Sequence, residues 1–358
     1  MNDERGMQNE KTGSALIVVL WVIGLLGMLV ASFAFEARIE ARLTSYYRNR
    51  TKADYLARSG LEIAELIMGK SEGLAGSEVD EEKAATDEWY MYAKRLSDGV
   101  EVLVEHDLAK EDVGEGIIRV KITPEPALIN VNMLTADKGE QSDRRWERIL
   151  EVGDIPEEMW AELIDSFYDW TDKDDAPRPD GAESDDYYGN LDNPYMARNG
   201  PLDTVGELRM IKGFTKAVIY GGALDGEGLF EDQKIQVSGI ADMLTTYGDG
   251  RINVNAASRR VLMTLPEMDD NLIDLIEEER LGWTDDGGVK HDESFKDTGD
   301  FLSRIPEVDP AVKSMISTQS KIYRITSTGE MNGVPRSLWC IVRYSGDNLT
   351  ILRWREDD

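Results

Sequence analysis

Ser14 to Phe35 read SALIVVLWVIGLLGMLVASFAF, an unbroken run of 22 residues without a charged side chain. A helix needs about 20 such residues to cross the ~30 Å hydrocarbon core of a bilayer. No other run of this kind occurs in the 358-residue sequence. The sequence therefore predicts a single membrane anchor that carries a large body.

The segment that follows extends this helix. From Glu36 to Met68 there is no proline, and Arg50 interrupts an otherwise apolar or small face. The residues of that face recur at a spacing of three and four: Ile39, Leu43, Tyr46, Ala53, Leu56, Gly60, Ile63 and Ile67. This spacing predicts an amphipathic helix that continues the membrane helix. As one helix, residues 14–68 would span roughly 80 Å.

Three interpretations of the N-terminus follow. The run is a plain signal anchor, a secretory signal peptide cut near Ala34, or the retained helix of a prepilin whose leader is cut after Gly13, leaving Ser14 first. Asp3 and Glu10 in the leader disfavour a signal peptide, which starts with positive charge. A long continuous helix favours the prepilin interpretation, because cleavage at Ala34 gives no reason for such continuity.

The charges beside the run bear on topology. Five basic residues from Arg38 to Lys52 follow it, so a strict positive-inside count would place the body in the cytoplasm. Glu36, Glu40 and Asp54 lie among these bases and can pair with them along a helix. We therefore discount the count, and the charges alone leave the side of the membrane on which the body lies open.

Composition limits the chemistry of the body. With 41% apolar residues the chain can bury a core, and its formal charge of −30 argues against nucleic-acid binding. Cys340 is the sole cysteine, which excludes an internal disulfide and a cysteine-rich metal cage. Two histidines, without a nucleophile–base pair or a glycine-rich phosphate loop, predict a protein that is not an enzyme.

The body has strand patterns at both ends and helical patterns between them. Strands are predicted at 100–105 and 117–123, and again at 321–328, 338–344 and 349–354. Helices are predicted between them at 144–151, 156–170, 204–210, 256–265, 271–280 and 310–318. The fold predicted is α+β: a long N-terminal helix on a small antiparallel sheet, with a large all-α domain inserted between two strands.

The inserted region contains a weak internal repeat. Ile129-Asn130-Val131-Asn132 recurs as Ile252-Asn253-Val254-Asn255. We interpret the two copies as the entries of two related helical modules, in which the Asn side chains cap helix N-termini. The segment 204–214 is also similar to a helix-hairpin-helix module, for which the acidic surroundings predict a structural use.

The densest candidate site is the acidic loop from Asp169 to Asp186, DWTDKDDAPRPDGAESDD, in which eight of 18 residues are acidic. So many carboxylates repel one another unless the loop is solvated or a cation lies among them, and Ca²⁺ takes six to eight oxygen ligands. An EF-hand starting at Asp172 fails, because Ala176 and Pro177 occupy its fifth and sixth positions. We expect an irregular site with further ligands from 187–199. A second acidic stretch, 285–300, is predicted to be an exposed loop.

These motifs resemble a known family, the minor pseudopilin K subunit of bacterial type II secretion systems. Lys11-Thr12-Gly13 before Ser14 resembles its prepilin peptidase site, and Glu36-Ala37-Arg38-Ile39-Glu40-Ala41-Arg42 its post-membrane helix. The acidic loop with Asn199-Gly200-Pro201-Leu202, and the segment 247–255, are the most specific matches. Val18 stands at the fifth position after the cut, where most pilins carry Glu and this family does not.

The resemblance implies the division of the chain. Residues 1–13 form a prepilin leader and 14–35 the transmembrane half of the helix. Residues 36–126 form the amphipathic helix and first strands of a pilin-like domain, 127–318 the inserted helical domain, and 319–358 the last strands. It also implies calcium binding in the inserted domain, for which the best candidate ligands are Asp172, Asp174, Asp175, Glu183 and Asp186. Extra acidic and Gly-rich material at 221–236 and 284–300 leaves a second metal site open.

The resemblance implies a non-enzymatic subunit at the tip of the pseudopilus that initiates assembly and aids export of folded proteins. Its implied partners are minor pseudopilins I and J, other pseudopilins, the inner-membrane platform and prepilin peptidase, with Ser14 methylated after cleavage. The implied location is the inner membrane, crossed once, with the body in the periplasm. Two alternatives stay open: a tip pseudopilin of a related type IV pilus or DNA-uptake system, and a secreted calcium-dependent hydrolase.

Overall fold

The chain begins with one uninterrupted helix of 68 residues. The computed structural model describes residues 4–111, 114–135, 140–224, 235–281, 283–284, 290–291, 293–345 and 348–356. Its helices are α1 Glu4–Ser71, α2 Glu81–Thr86, α3 Glu88–Ser97, α4 Glu140–Val152, α5 Trp160–Thr171, α6 Lys216–Tyr220, α7 Arg259–Met263, α8 Asp270–Leu281 and α9 Thr298–Arg304.

The strands are β1 Val102–Asp107, β2 Ile117–Pro124, β3 Ile129–Asn130, β4 Gly222–Leu224, β5 Ile235–Val237, β6 Leu244–Thr245, β7 Ile252–Asn253, β8 Trp283–Thr284, β9 Lys290–His291, β10 Ile316–Ser317, β11 Ile322–Met331, β12 Val334–Ser345 and β13 Asn348–Glu356. Short 3₁₀ helices lie at the start of the inserted region and within it, at Glu125–Ala127, Val131–Thr135, Glu157–Met159, Tyr188–Asn190, Val205–Met210, Ala241–Met243 and Pro310–Ser314.

Five strands form an antiparallel sheet in the order β1-β2-β11-β12-β13. The neighbours β2 and β11 are distant in sequence, yet Pro124 pairs with Tyr323 across the ladder. The inserted region therefore leaves and re-enters the sheet at adjacent strands. The predicted fold class is confirmed in its long N-terminal helix, antiparallel sheet and further helices, whereas the insertion, predicted to be all-α, also contains the short strands β3 to β10.

Small residues allow the second half of α1 to lie close to this sheet. Ala53, Ala57 and Ala64 are almost fully buried on its sheet-facing side. A Cβ atom placed on Gly60 would lie 2.0 Å from Ser327 Oγ, and one on Gly329 would lie 2.2 Å from the carbonyl oxygen of Ala53. Around this contact the core closes through large side chains, among them Ile67, Met68, Val120, Ile122, Ile325 and Val342.

The apolar face predicted for α1 is covered only in part. It is buried from Ala53 onward, but Ile39, Leu43 and Tyr46 remain 43%, 49% and 47% exposed. These three residues lie beyond the end of the sheet, toward the membrane helix. The described residues of the body therefore do not supply the partner for this part of the helix.

The inserted region has its own core, which includes Trp146, Phe167, Tyr168, Leu262 and Phe301. The helices predicted at 144–151, 156–170 and 271–280 are present, whereas 204–210 is a 3₁₀ helix and the helix predicted at 256–265 spans only α7. The segment 310–318 is a 3₁₀ turn followed by β10. These three segments have the residue spacing of a helix, but none of them forms a long α-helix. Contacts with other parts of the chain fix their conformation instead.

The two copies of Ile-Asn-Val-Asn have equivalent structures. Each forms a two-residue parallel ladder, β3 with β6 and β7 with β10. In each, the first Asn side chain accepts a hydrogen bond from the backbone N–H of the second, at 3.0 Å. The repeat is therefore real in three dimensions. Asn130 accepts an N–H at the start of the 3₁₀ helix Val131–Thr135, as the sequence predicted, whereas the other three Asn side chains connect loops.

The second Asn of each copy pairs with one backbone residue through both ends of its amide. Asn132 Nδ2 donates to the Leu202 carbonyl and its Oδ1 accepts from the Leu202 N–H, at 2.9 and 2.8 Å. Asn255 pairs with Phe295 in the same way, at 2.9 Å for both bonds. Leu202 and Phe295 each precede a helical turn, Val205–Met210 and α9. The inserted region is thus built from two modules of one design.

Buried polar contacts join the insertion to the sheet. Glu125, only 1% exposed, accepts hydrogen bonds from Arg324 of β11 at 2.8 and 3.0 Å and from Thr245 of the insertion at 2.5 Å. Asn253 Nδ2 donates to the carbonyl of Gly99 at 2.9 Å. Buried polar groups hold position because breaking such bonds is costly. These bonds fix the insertion on the pilin-like body.

Candidate functional site

The N-terminal part of α1 is the first candidate site. In the described chain it is one helix that is long and apolar enough to cross a membrane, with a mean hydropathy of 2.7 in an 18-residue window that is not buried at all. Trp21 and Met28 are 73% and 79% exposed. Such exposure in water would be unfavourable, and a bilayer removes the penalty. The helix is consistent with an inner-membrane anchor.

The predicted processing residues, Gly13 and Ser14, lie inside α1. Their side chains are outside the described part of the structure, so cleavage after Gly13 remains a prediction. The helix continues without a break past Ala34 and Phe35, where a signal peptidase would have to cut. This continuity agrees with the expectation that the apolar helix is a structural element.

The second candidate site is the acidic loop after α5. Its organising residue is Asp169, which is fully buried at the end of α5. Its carboxylate accepts backbone N–H bonds from Arg178 at 3.1 and 3.2 Å and from Ala182 at 2.8 Å. A Cβ at position 181 would lie 1.9 Å from Asp169 Oδ2, so Gly181 is required for this close approach. The loop is therefore folded around a buried carboxylate.

Burial makes the ionised form of the Asp169 carboxyl group unfavourable. Desolvation raises its pKa, the two backbone donors oppose the rise, and the charge of Asp172 adds to it. Asp169 is not among the ligands predicted from the sequence. Its position as the last acidic residue of a helix, immediately before Trp170, is the signal that could have identified it.

Glu183 is the one buried side chain among the five predicted ligands. It is 1% exposed, its Oε2 accepts from the Ser184 N–H at 3.2 Å, and its Oε1 has no partner among the described residues. Burial raises its pKa to about 7, and the charges of Asp169, Asp172 and Asp175 contribute to the rise. A buried carboxylate with an unpartnered oxygen, surrounded by like charges, favours either a proton or a cation.

The other predicted ligands divide into two groups. Asp172 and Asp175 act electrostatically on Glu183 and so share its surroundings. Asp174 is exposed and accepts the Ala176 N–H at 3.2 Å, while Asp186 accepts the Glu183 N–H at 2.7 Å. The latter two contacts are local turns, which give Asp174 and Asp186 structural roles within the loop.

Asn199 connects the far end of the loop to its start. Its Nδ2 donates to Asp175 Oδ1 at 3.0 Å, its backbone N–H donates to the Trp170 carbonyl at 3.0 Å, and its buried Oδ1 has no partner among the described residues. Its φ of 51° is left-handed, a conformation that Asn tolerates. The sequence indicates that 187–199 contribute to the site, but it does not indicate the orientation of this residue.

Aromatic residues pack against one another beside the acidic loop. The ring of Tyr188 lies 5.1 Å from Trp170 and 5.3 Å from Tyr195, measured between centroids. Within the described residues, no three His, Cys, Asp or Glu side chains converge closely enough to hold a metal as they stand. The five predicted ligands thus form a crowded, partly buried acidic loop.

Of the second acidic stretch, residues 285–289 and 292 lie outside the described structure, as do 225–234 of the other Gly-rich segment.

Comparison with known proteins gives consistent results. Residues 127–220 match the family model for protein K of the type II secretion system (T2SS). Type II secretion system protein K of Pseudomonas aeruginosa is 25% identical over 279 residues, covering 75% of this chain and 73% of that protein. The Klebsiella pneumoniae protein of the same name is 23% identical over 239 residues, 65% of this chain and 67% of that protein. A putative protein K of Escherichia coli K12 is 26% identical over 215 residues, 59% and 61%.

The fold also has a counterpart among solved structures. A chain in the crystal structure of the GspK-GspI-GspJ complex from the enterotoxigenic Escherichia coli Type 2 Secretion System superposes with a TM-score of 0.53 at 16% identity. The match covers 90% of this chain and 99% of that chain. The resemblance predicted from the sequence is thereby confirmed: this chain is a relative of type II secretion system protein K, and its relatives support a role as a minor pseudopilin.

Proposed function

We propose that this chain is a non-enzymatic minor pseudopilin at the tip of a type II secretion pseudopilus, where it initiates assembly and aids the export of folded proteins. The observation that carries the proposal is the division of α1 into an uncovered apolar half and a half packed on an antiparallel sheet. Such a helix anchors a body to the inner membrane and offers a surface to neighbouring helices. The body then lies in the periplasm.

Two features support a position at the tip. The fifth residue after the predicted cut is Val18, so the chain lacks the Glu that would neutralise the amino terminus of a subunit above it. An unpaired charge within a membrane is costly, which disfavours an interior position. In addition, the insertion between β2 and β11 adds a second domain beside the sheet, and a bulky domain fits the end of a thin fibre better than its shaft.

The partners proposed are minor pseudopilins of the I and J types, followed by other pseudopilins and the inner-membrane platform. Support comes from the structural neighbour, whose complex contains GspI and GspJ. The exposed residues Ile39, Leu43 and Tyr46 continue the buried face of α1 and provide the surface for such packing. Prepilin peptidase is the partner proposed for maturation at Gly13.

Two measurements test this role. Intact-mass analysis of the protein from membranes, with and without prepilin peptidase, is expected to give a mature chain beginning at methylated Ser14. A chain beginning at Phe35 would contradict the proposal. Co-purification with I- and J-type subunits from detergent extracts is the second test, and a wild-type protein that associates with neither would also contradict it.

A calcium ion in the acidic loop is part of the proposal. The residues fit a hard cation, because the unpartnered buried oxygens include those of Glu183 and Asn199 and all the candidate side chains offer oxygen. Because no three carboxylates of the described structure converge as they stand, Asp172 and Asp175 would have to move toward Glu183 to hold the ion, with Asp174 and Asp186 supporting the loop. The bound ion would neutralise the carboxylates and stiffen the insertion.

Thermal unfolding in EDTA and in Ca²⁺ tests the ion. Ca²⁺ is expected to raise the melting temperature of the wild type, since a ligand that binds only the folded state stabilises it. Glu183→Gln is expected to abolish that rise, and Glu158→Gln, an exposed acidic position of the insertion outside residues 169–199, is the matched control. Equal calcium responses in the wild type and Glu183→Gln would remove this site from the proposal.

A further inference from the structure

The charges just beyond the membrane segment form two rows on α1. At about 100° per residue, Glu36 and Glu40 lie on one flank of the exposed seam of Ile39, Leu43 and Tyr46. Arg38 and Arg42 lie on its other flank by the same geometry. The arrangement is an apolar seam bordered by acid on one side and base on the other.

This seam continues a regular pattern. Steps of four and three residues lead from Ile39 through Leu43, Tyr46 and Arg50 to Ala53, which is fully covered by the sheet. Ile39, Leu43 and Tyr46 have nothing of this chain's described body above them. A seam with this repeat is the surface on which one helix packs against another.

The two rows are unfavourable within α1 itself. Each row places like charges four residues apart, Glu36 with Glu40 and Arg38 with Arg42, and such pairs destabilise a helix. All four residues are exposed, and across the described residues none of them has a hydrogen bond or ion pair. Some charges farther along α1 do find partners in the body, as Lys52 does in Glu115 at 3.0 Å and Arg58 in Glu356 at 3.0 Å.

We infer that the seam and its two charge rows are a keyed docking surface for the parallel N-terminal helix of a second pilin-like subunit. That helix has an apolar seam bordered by basic residues where it meets Glu36 and Glu40, and by acidic residues where it meets Arg38 and Arg42. Flanking charges of this kind select the partner and its orientation in paired helices. The inference rests on the proposed assembly with other pseudopilins and specifies which neighbour fits.

A variant that exchanges the rows tests the inference. Glu36→Arg, Glu40→Arg, Arg38→Glu and Arg42→Glu in the full-length chain preserve net charge, composition and the apolar seam, while the partner then meets like charge on both flanks. The readout is crosslinking in native membranes from a Leu43→Cys reporter to cysteines on I- and J-type helices. Cys340 is buried and leaves the reporter as the accessible thiol of this chain.

The exchange is expected to reduce the crosslinked product about tenfold, because favourable ion pairs become repulsive ones. Exchanging the signs of the flanking charges on the partner helix should restore it. The matched control, Lys52→Glu with Glu115→Lys, reverses an ion pair that stays within the chain and should leave crosslinking unchanged. Protease resistance of the body shows that each variant is folded.

The outcomes separate this inference from the proposed function. If the wild type crosslinks and the exchanged variant crosslinks equally well, the keyed surface is wrong while the assembly stands. The keyed surface is also wrong if the exchange changes only the dependence on anionic lipid, since the rows would then contact headgroups. If the reporter in the wild-type background neither crosslinks nor co-purifies with I- or J-type subunits, the proposed assembly fails, and the inference fails with it.

Discussion

Gly329 in β11 lies directly beneath Ala53 of α1, and a Cβ atom added to Gly329 would be 2.2 Å from the Ala53 carbonyl oxygen. Because Gly329 has no side chain, α1 can lie this close to the sheet. The backbone nitrogen of Ala57, one helical turn later, would be 2.5 Å from the same added atom, so there is no room for a side chain at this position. This contact holds the body to the lower half of the anchor helix.

Gly329→Ala is accordingly expected to push α1 away from the sheet and to lower the free energy of unfolding by about 1–3 kcal/mol, the usual cost of overpacking. Gly206→Ala is the control, because its added Cβ would make only ordinary contacts, 3.5 Å at the nearest. Thermal unfolding of the detergent-solubilised chain measures both. Equal melting temperatures for the two variants would show that the helix can move without cost.

Asn255 holds the second module together and joins it to the pilin-like body through several hydrogen bonds. Its amide contacts Phe295 at both ends and also donates to the Asp98 carbonyl at 2.7 Å. Asn255→Ala would leave these backbone groups unsatisfied, at a cost of about 1–3 kcal/mol for each buried group that finds no water. We expect a clearly lower melting temperature, whereas Asn193→Ala at an exposed loop position should leave it unchanged.

Local sequence patterns predict the elements that depend on one chain segment. The membrane run, the continuation of α1 and the strands around Ile325 and Cys340 are visible as hydropathy and β-branched spacing. The patterns do not predict hydrogen bonds between residues that are far apart in the sequence. The Asn side chains of the repeat were predicted to cap helices, but Asn132 and Asn255 instead pair with Leu202 and Phe295, which lie 70 and 40 residues away.

The acidic loop shows the same limit at the candidate site. Its composition points to Glu183 and Asp172, but not to the burial that distinguishes Glu183 from the exposed Asp174. That distinction depends on Asp169 and Gly181 folding the loop back on α5. The seam on α1 differs again, since Ile39 fits the predicted face but the sheet stops short of it.

Cys340 provides a probe of the sheet. It lies in β12 between β11 and β13, is 1% exposed, and burial raises the pKa of its thiol to about 11. Because the thiolate is the reactive form, the native protein at pH 8 should react with a thiol reagent at least about a hundredfold more slowly than the denatured chain. Ser77→Cys, at an exposed position, supplies the rapidly reacting control. Rapid labelling of native Cys340 would mean that β13 detaches readily.

Glu183 makes the stability of the metal-free protein depend on pH. Its folded-state pKa of about 7 lies above its ordinary value of 4.5, so the folded state binds the proton more tightly than the unfolded chain. The stabilising contribution is therefore complete below pH 4.5 and is lost as pH rises through 7. In EDTA, the wild type should lose stability relative to Glu183→Gln across this window, by on the order of 2–3 kcal/mol.

Calcium should reverse this difference above pH 7, where the ionised carboxylate can bind the cation in place of the proton. Melting temperatures of the wild type and Glu183→Gln, measured from pH 4.5 to 8 in EDTA and again in Ca²⁺, give the comparison directly. Glu158→Gln should follow the wild-type curve in both solutions, because its side chain is exposed and lies outside residues 169–199. Parallel curves for the wild type and Glu183→Gln in EDTA would show that the Glu183 carboxylate is as well solvated in the folded protein as in the unfolded chain.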